Sequence, residues 1–163
     1  EGQIVNGCLI LKEEHYPEHR FENRSDFKSV LALKLQYVQQ HMFCSTESLK
    51  SVVMPEAVGV LRGGFSGVAL ENCFFPKVVR VGDYTFTQCG IQRLCSDNFP
   101  ALEAIGEAAF MESRVATVDL PNLTQVKAEG FRFCQKLKSF SAPKLQSAGE
   151  RCFSNCYQLG SIN

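Results

Sequence analysis

Residues 104–123 read AIGEAAFMESRVATVDLPNL, and residues 147–162 read SAGERCFSNCYQLGSI. Aligned on Phe110 and Phe153, both carry Gly-Glu before the phenylalanine and an aliphatic residue, Val115 or Leu159, five or six positions after it. The same register runs through most of the chain. Phe21, Phe43, Phe65, Phe86, Phe110, Phe131 and Phe153 are separated by steps of 22, 22, 21, 24, 21 and 22 residues. Six further phenylalanines lie off this spacing, so other columns must support it.

They do. Five residues before the phenylalanine stand Val38, Val60, Val81, Ile105, Val126 and Ala148, and eight before it Leu35, Ala57, Val78, Leu102, Leu123 and Leu145. Ten before it, Leu33 is followed in later repeats by Pro55, Pro76, Pro100, Pro121 and Pro143. Residues 27–43 alone could form an amphipathic helix. Their register against residues 137–153, with Lys, Ser, Ala, Lys, Leu, Gln and Phe shared, favours a repeat unit instead.

A unit of about 22 residues cannot bury its own apolar face, so copies must stack and share one core. LKSFSAP (137–143) alternates with period two and ends in proline, which lacks the N–H for the next ladder bond. It therefore reads as a short strand, and successive strands would pair in parallel about 4.8 Å apart. The expected fold is a repeat solenoid of about seven rungs, mostly β and loop with little helix, over residues 21–163, with residues 1–20 as an N-terminal cap or degenerate first rung. Gly82, Gly106 and Gly149 share one column, which suggests a turn requiring positive φ.

The runs at 104–123 and 147–162 resemble BspA-like leucine-rich repeats, whose core is I-G-x-x-A-F-x-x-C-x-x-L. The resemblance covers residues 21–163 and is clearest from residue 76. It departs where Gln39, Leu61 and Lys127 replace the turn glycine, and where Phe65 is followed by Ser-Gly-Val without Cys. The resemblance implies a leucine-rich-repeat solenoid of surface proteins, active in adhesion and protein binding. On it the chain is read as a fragment of a longer cell-surface or secreted protein, with a cytoplasmic location left open.

Composition narrows the function classes. The 163 residues are 45% hydrophobic and include 13 Phe, which is too much apolar surface for disorder. Seventeen cations balance seventeen anions, so the overall charge expected of a nucleic-acid binder is missing. No apolar run reaches the ~20 residues needed to span a bilayer, and no membrane insertion is expected. The eight Cys fall largely on repeat positions: Cys89, Cys134 and Cys156 share the column three after the phenylalanine, Cys73 lies at an inward strand position, and Cys152 adjoins its Phe. Small buried thiols suit these places, although Cys134 and Cys156 on adjacent rungs could be bridged. His15-x3-His19 beside Glu13, Glu14 and Glu18 could hold zinc on a helix, but reads as a solvated segment, and no metal or cofactor is expected. Arg62-Gly63-Gly64 lacks the Lys-Ser/Thr of a phosphate loop and reads as a widened turn. No G-x-S-x-G elbow or cysteine-protease signature occurs, so no enzyme is expected. All three His precede residue 42, and any chemistry would lie in the first 45 residues.

Solenoids of this type bind through the outward side of the strand sheet. The outward column reads Leu31, Val53, Phe74, Cys95, Asp119, Ser141 and Asn163, with Ser29, Ser51, Asn72, Arg93, Thr117, Ser139 and Ser161 beside it. An exposed apolar stripe of Leu31, Val53, Phe74 and Cys95, bordered by Arg93 and Asp119, is therefore the expected site for a protein or peptide ligand. The alternative function is a scaffold in which the array mediates homo-oligomerisation, with self-association through the edge strand of the C-terminal rung.

Overall fold

The computed structural model describes residues 2–163 and is a β-solenoid without helix among them. Residue 1 of the expected 1–20 cap lies outside the described residues. A front sheet begins with β1 (Gln3–Val5), β2 (Cys8–Leu11), β3 (Ser29–Ala32), β5 (Ser51–Val53) and β7 (Asn72–Phe74). It continues, as a separate ladder, with β9 (Arg93–Leu94), β11 (Thr117–Asp119), β13 (Ser139–Ser141) and β15 (Ser161–Ile162). The back sheet is unbroken: β4 (Tyr37–Val38), β6 (Gly59–Val60), β8 (Arg80–Val81), β10 (Ala104–Ile105), β12 (Gln125–Val126) and β14 (Ser147–Ala148). All pairings are parallel except β1 with β2, a hairpin that turns at Asn6-Gly7, both with positive φ. Residues 27–43 hold β3 and β4, so the repeat register prevails over the helical pattern.

The proline column acts as expected. β5, β7, β11 and β13 each end two residues before Pro55, Pro76, Pro121 or Pro143. The residue between strand and proline, Met54, Phe75, Leu120 or Ala142, is buried and makes the last bond to the next rung, as in Met54 N–H to Phe74 C=O at 3.1 Å. The proline then has no N–H with which to continue.

The seven register phenylalanines form one continuous stack. Successive ring centroids are 5.3, 5.2, 5.5, 5.2, 5.4 and 5.9 Å apart, with ring planes 3–14° from parallel. Of the six others, Phe27, Phe75, Phe99 and Phe140 pack against the stack, mostly tilted or edge-on. Phe74 is left outside on the front sheet, and Phe133 lies under the Arg132 guanidinium at 4.6 Å.

Around the phenylalanine stack the backbone builds a third ladder. At each of the six interfaces between rungs, the N–H groups of the phenylalanine and of the residues two before and two after it donate to the next rung. Phe43 N–H meets Gly64 C=O at 2.9 Å, flanked by His41 to Arg62 at 3.1 Å and Ser45 to Ser66 at 2.8 Å. Intervening N–H groups close tight turns within the rung, such as Cys44 to His41 at 3.1 Å. This alternation requires left-handed backbone at two columns. One is His19, His41, Gly63, Tyr84, Ala108, Glu129 and Arg151; the other is Asn23, Ser45, Gly67, Gln88, Glu112, Phe133 and Asn155, all with φ between 48° and 69°. Gly63 thus belongs to an ordinary turn, and the stretch Arg62–Gly64 is not widened.

Positive φ is not the reason for the other glycine column. None of Gly82, Gly106 and Gly149 has a positive φ. Instead, a Cβ on Gly106 would lie 2.5 Å from the Gly82 carbonyl carbon and 2.6 Å from Asp83 N, and one on Gly149 would meet the Lys127–Ala128 backbone. These glycines let one rung's backbone lie directly on the previous one.

Two substitutions separate the effects. Gly106→Ala forces backbone against backbone and should destabilise by about 1–3 kcal/mol, as overpacking does. Ser45→Gly, at φ 54° and exposed, should stabilise by about 0.5–1 kcal/mol by removing left-handed strain. Urea denaturation of both variants checks the signs.

Candidate partner-binding face

Register defines the outward column of the front sheet. Ile10 pairs with Leu31, Leu31 with Val53, and Val53 with Phe74. Between them, Leu9, Val30 and Val52 point inward and are buried. Val53 is 41% and Phe74 42% exposed, while Ile10 and Leu31 are half-buried. Val53 and Phe74 thus project from the sheet, in the phase that period-two alternation assigns them.

The stripe differs from expectation at each end. Ile10 extends it by one rung, because β2 precedes the first phenylalanine step and offers no column to align. At the other end Cys95 does not continue it. The step from Phe86 to Phe110 is two residues longer than most, and the surplus forms a turn at residues 95–98. Asn98 closes that turn, accepting from Cys95 N–H at 2.9 Å and donating through Nδ2 to Arg93 C=O at 2.7 Å. The Asn98 carbonyl, not that of Cys95, then receives the Phe75 N–H at 3.0 Å. Cys95 has left the column and is half-buried.

The same turn parts the front sheet. Lys50 C=O accepts from Glu71 N–H and Asn72 N–H, and Gln92 C=O accepts from Ala116 N–H and Thr117 N–H. Among the described residues no equivalent bond joins Glu71 to Gln92, and β7 and β9 are unpaired. A cavity of about 470 Å³ opens there, lined by Cys73, Gly90, Arg93, Cys95 and Asn98 among others. Arg93 and Asp119 are both exposed, but they lie across this gap from Phe74 and do not border a continuous apolar surface.

All eight cysteines are free. Their column after the ladder phenylalanine has a definite task. Cys134 Sγ donates to Phe110 C=O and Cys156 Sγ to Phe131 C=O, each at 3.0 Å, and Thr46 Oγ1 does the same to Phe21 C=O at 2.9 Å. A small side chain with one donor thus reaches the carbonyl of the stacked phenylalanine in the rung before. Ser113, in the same column, meets Cys134 Sγ at 3.3 Å. Burial pushes the Cys89 and Cys134 thiols up to about 12 and the Cys152 thiol up to about 11 from the usual 9.0. Cys73 is also raised, first by burial and then by the neighbouring Cys89 and Cys95.

The histidines do not assemble a centre. His19 and His41 stack at 5.2 Å on the turn face, with His19 Nδ1 2.7 Å from Glu22, while His15 stands apart and exposed. Among the described residues no group of three His, Cys, Asp or Glu could hold a metal ion. No helix among them is long and apolar enough to cross a membrane.

Parallel-strand rungs of about 22 residues, a shared phenylalanine core and an exposed strand face together define a leucine-rich-repeat solenoid. A family model described as the BspA type leucine rich repeat region matches residues 12–64 and 62–163 in six copies, and the chain belongs to that family. Leucine-rich-repeat families of this kind are generally non-catalytic interaction modules. Among solved structures, a leucine-rich repeat protein from Eubacterium ventriosum superposes with a TM-score of 0.70 at 16% identity, and shares the fold. The match covers 85% of this chain and 40% of that one, so this chain spans well under half of its relative. A leucine rich cell surface protein from Faecalibacterium prausnitzii matches at a TM-score of 0.35 and 16% identity, over 83% of this chain and 59% of that one. No curated protein matches the chain in sequence.

The buried thiols set an alkaline limit. Their folded values lie above the unfolded one, so burial of the neutral thiols contributes fully below pH 9 and is lost as pH rises toward 11–12. Denaturant midpoints should therefore fall between pH 9 and 11, and a Cys89→Ala/Cys134→Ser/Cys152→Ala variant should show a shallower fall.

Proposed function

We propose that this chain is a non-catalytic protein-recognition module, and that the front sheet is its contact surface. The observation that carries this reading is the column Ile10, Leu31, Val53 and Phe74, four neighbouring rungs whose outward side chains are apolar and accessible. Contiguous apolar area of this kind marks interaction sites, and an aromatic at its end is a hot-spot type of anchor. Arg93 and Asp119 would meet the same partner beyond the gap, as polar contacts. A place on the cell surface or in a secreted protein, and a role in adhesion, follow from the family resemblance. Residues 1–20 would close the N-terminal end: Ile4 and Gly2 approach the buried Leu9 and Leu11 of the first strand layer.

A Val53→Asp/Phe74→Asp variant tests this reading. Both side chains are exposed, so its unfolding midpoint should stay near that of the wild type. Quantitative affinity capture with the two proteins side by side should show protein partners lost from the variant alone. Equal capture by both would move the contact surface off the stripe. Sedimentation of the same pair addresses the homo-oligomer alternative: concentration-dependent mass abolished by the variant would make a second copy the partner.

A further inference from the structure

The C-terminal half of the front face differs in chemistry from the stripe. Its outward side chains are small and polar, and Ala116 sits where neighbouring rungs carry Gln92 and Lys138. A depression of about 640 Å³ opens over Ala116, rimmed by Arg114, Lys136, Lys138, Gln92 and Gln158. Towards the turn it runs into a second, of about 370 Å³, which shares Arg114 and Lys136 and adds Glu112 and Phe133. Towards the sheet it runs into a third, of about 580 Å³, which shares Gln92 and Ala116 and is floored by Thr117, Ser139 and Ser141, with Arg93 and Asp119 at its side. Joined through these shared lining residues, the three follow, as one trough, residues 112–119 of one rung and 133–141 of the next, from the turn to the front sheet.

Charge along this trough is arranged centrally. Arg114, Lys136 and Lys138 are exposed, and among the described residues none of them, nor Arg93, is in an ion pair. On the neighbouring turn face two carboxylates are each shared by two cations: Arg62 and Lys127 meet at Asp83, and Arg132 and Arg151 at Glu129. The acids of the trough, Glu112 and Asp119, stand at opposite ends of it. A long polyanion laid along the trough would meet like charge at both ends, whereas a short anionic element would face only the cations.

We propose that this trough binds a short extended peptide segment of the partner, carrying one or two Asp or Glu residues over Arg114, Lys136 and Lys138 and neutral residues toward both ends. The hydroxyls of Thr117, Ser139 and Ser141 and the amides of Gln92 and Gln158 would hydrogen-bond the remainder of the segment. This deepens the protein-recognition reading by giving the partner a sign of charge, and it uses residues outside the apolar stripe.

The test is a ¹⁵N–¹H NMR titration of the full chain with four probes: a Gly/Ser/Ala decapeptide with central Glu-Glu, its Gln-Gln counterpart, decaglutamate, and a heparin hexasaccharide. The Glu-Glu peptide should shift amides of residues 112–119 and 133–141 and bind about tenfold better than the Gln-Gln peptide, as expected of several exposed charge pairs. Its binding should weaken about tenfold in an Arg114→Gln/Lys136→Gln/Lys138→Gln variant, and fall as salt rises from about 0.05 to about 0.5 M. Because these positions are exposed, an unchanged amide spectrum elsewhere shows the variant folded. Val53→Asp/Phe74→Asp should retain the shifts, so that failure of the stripe and failure of the trough are told apart. Equal binding of the Gln-Gln peptide, or survival of binding in the triple variant, overturns the proposal. Decaglutamate or heparin binding more than about tenfold tighter than the Glu-Glu peptide overturns it in favour of a polyanion surface.

Discussion

Each rung of this solenoid lies on the last at the thickness of one backbone, and the other features of the structure follow from that spacing. The phenylalanine rings, 5.2–5.9 Å apart, stack nearly parallel. The turn backbone around them offers alternate N–H groups to the next rung, and the residues between close turns within the rung. Gly82, Gly106 and Gly149 are small because a Cβ would collide with the backbone beneath. The donors at Thr46, Cys134 and Cys156 reach the carbonyl of the stacked phenylalanine in the preceding rung because the rungs lie this close. Fixing one spacing makes these columns mutually dependent, as consistency across levels of structure demands.

The constraint is relaxed in one place, and the surface changes character there. The back sheet and the turn ladder pass the Phe86–Phe110 step without a break, so the two extra residues are absorbed wholly at the front. They part β7 from β9 and divide the front face in two. On the N-terminal side the outward column is apolar, from Ile10 to Phe74. On the C-terminal side it is polar, and Arg93, Arg114, Lys136 and Lys138 have no ion-pair partner among the described residues. The chain's formal neutrality conceals this asymmetry, since its cations and anions balance over 163 residues and not over each half of the face.

Much of this was legible in the sequence, for physical reasons that differ by element. Period-two alternation in a strand fixes its phase, so the burial of Val30, Val52, Val118 and Phe140 and the exposure of Val53 and Phe74 could be assigned from spacing alone. Proline is legible because its missing N–H has one meaning in a ladder. The left-handed columns were not legible: His41, Ser45, Tyr84, Gln88, Phe133 and Arg151 share no chemistry, since it is the backbone bonds between turns of successive rungs that impose the conformation. The glycine column was visible, but its cause was not, because close approach and positive φ select the same residue. At Cys95 the signal is the step of 24: two extra residues after β9 carry Cys95 off the outward column, and register counted back from Phe110 resumes at Pro100. The cation trough has no linear motif, because Arg114, Lys136 and Lys138 meet only when two rungs are stacked.

Native-state hydrogen exchange tests most directly that a continuous turn ladder holds the rungs while the front sheet is divided. The amides of Phe43, Phe65, Phe86, Phe110 and Phe131 should exchange only with global unfolding. Gln92 should exchange much faster than Lys50, Glu71 or Ala116, which occupy the same place on neighbouring rungs and do bond to the rung before. Protection of Gln92 equal to theirs would mean that β7 and β9 are joined, and that the front face is one continuous surface rather than two.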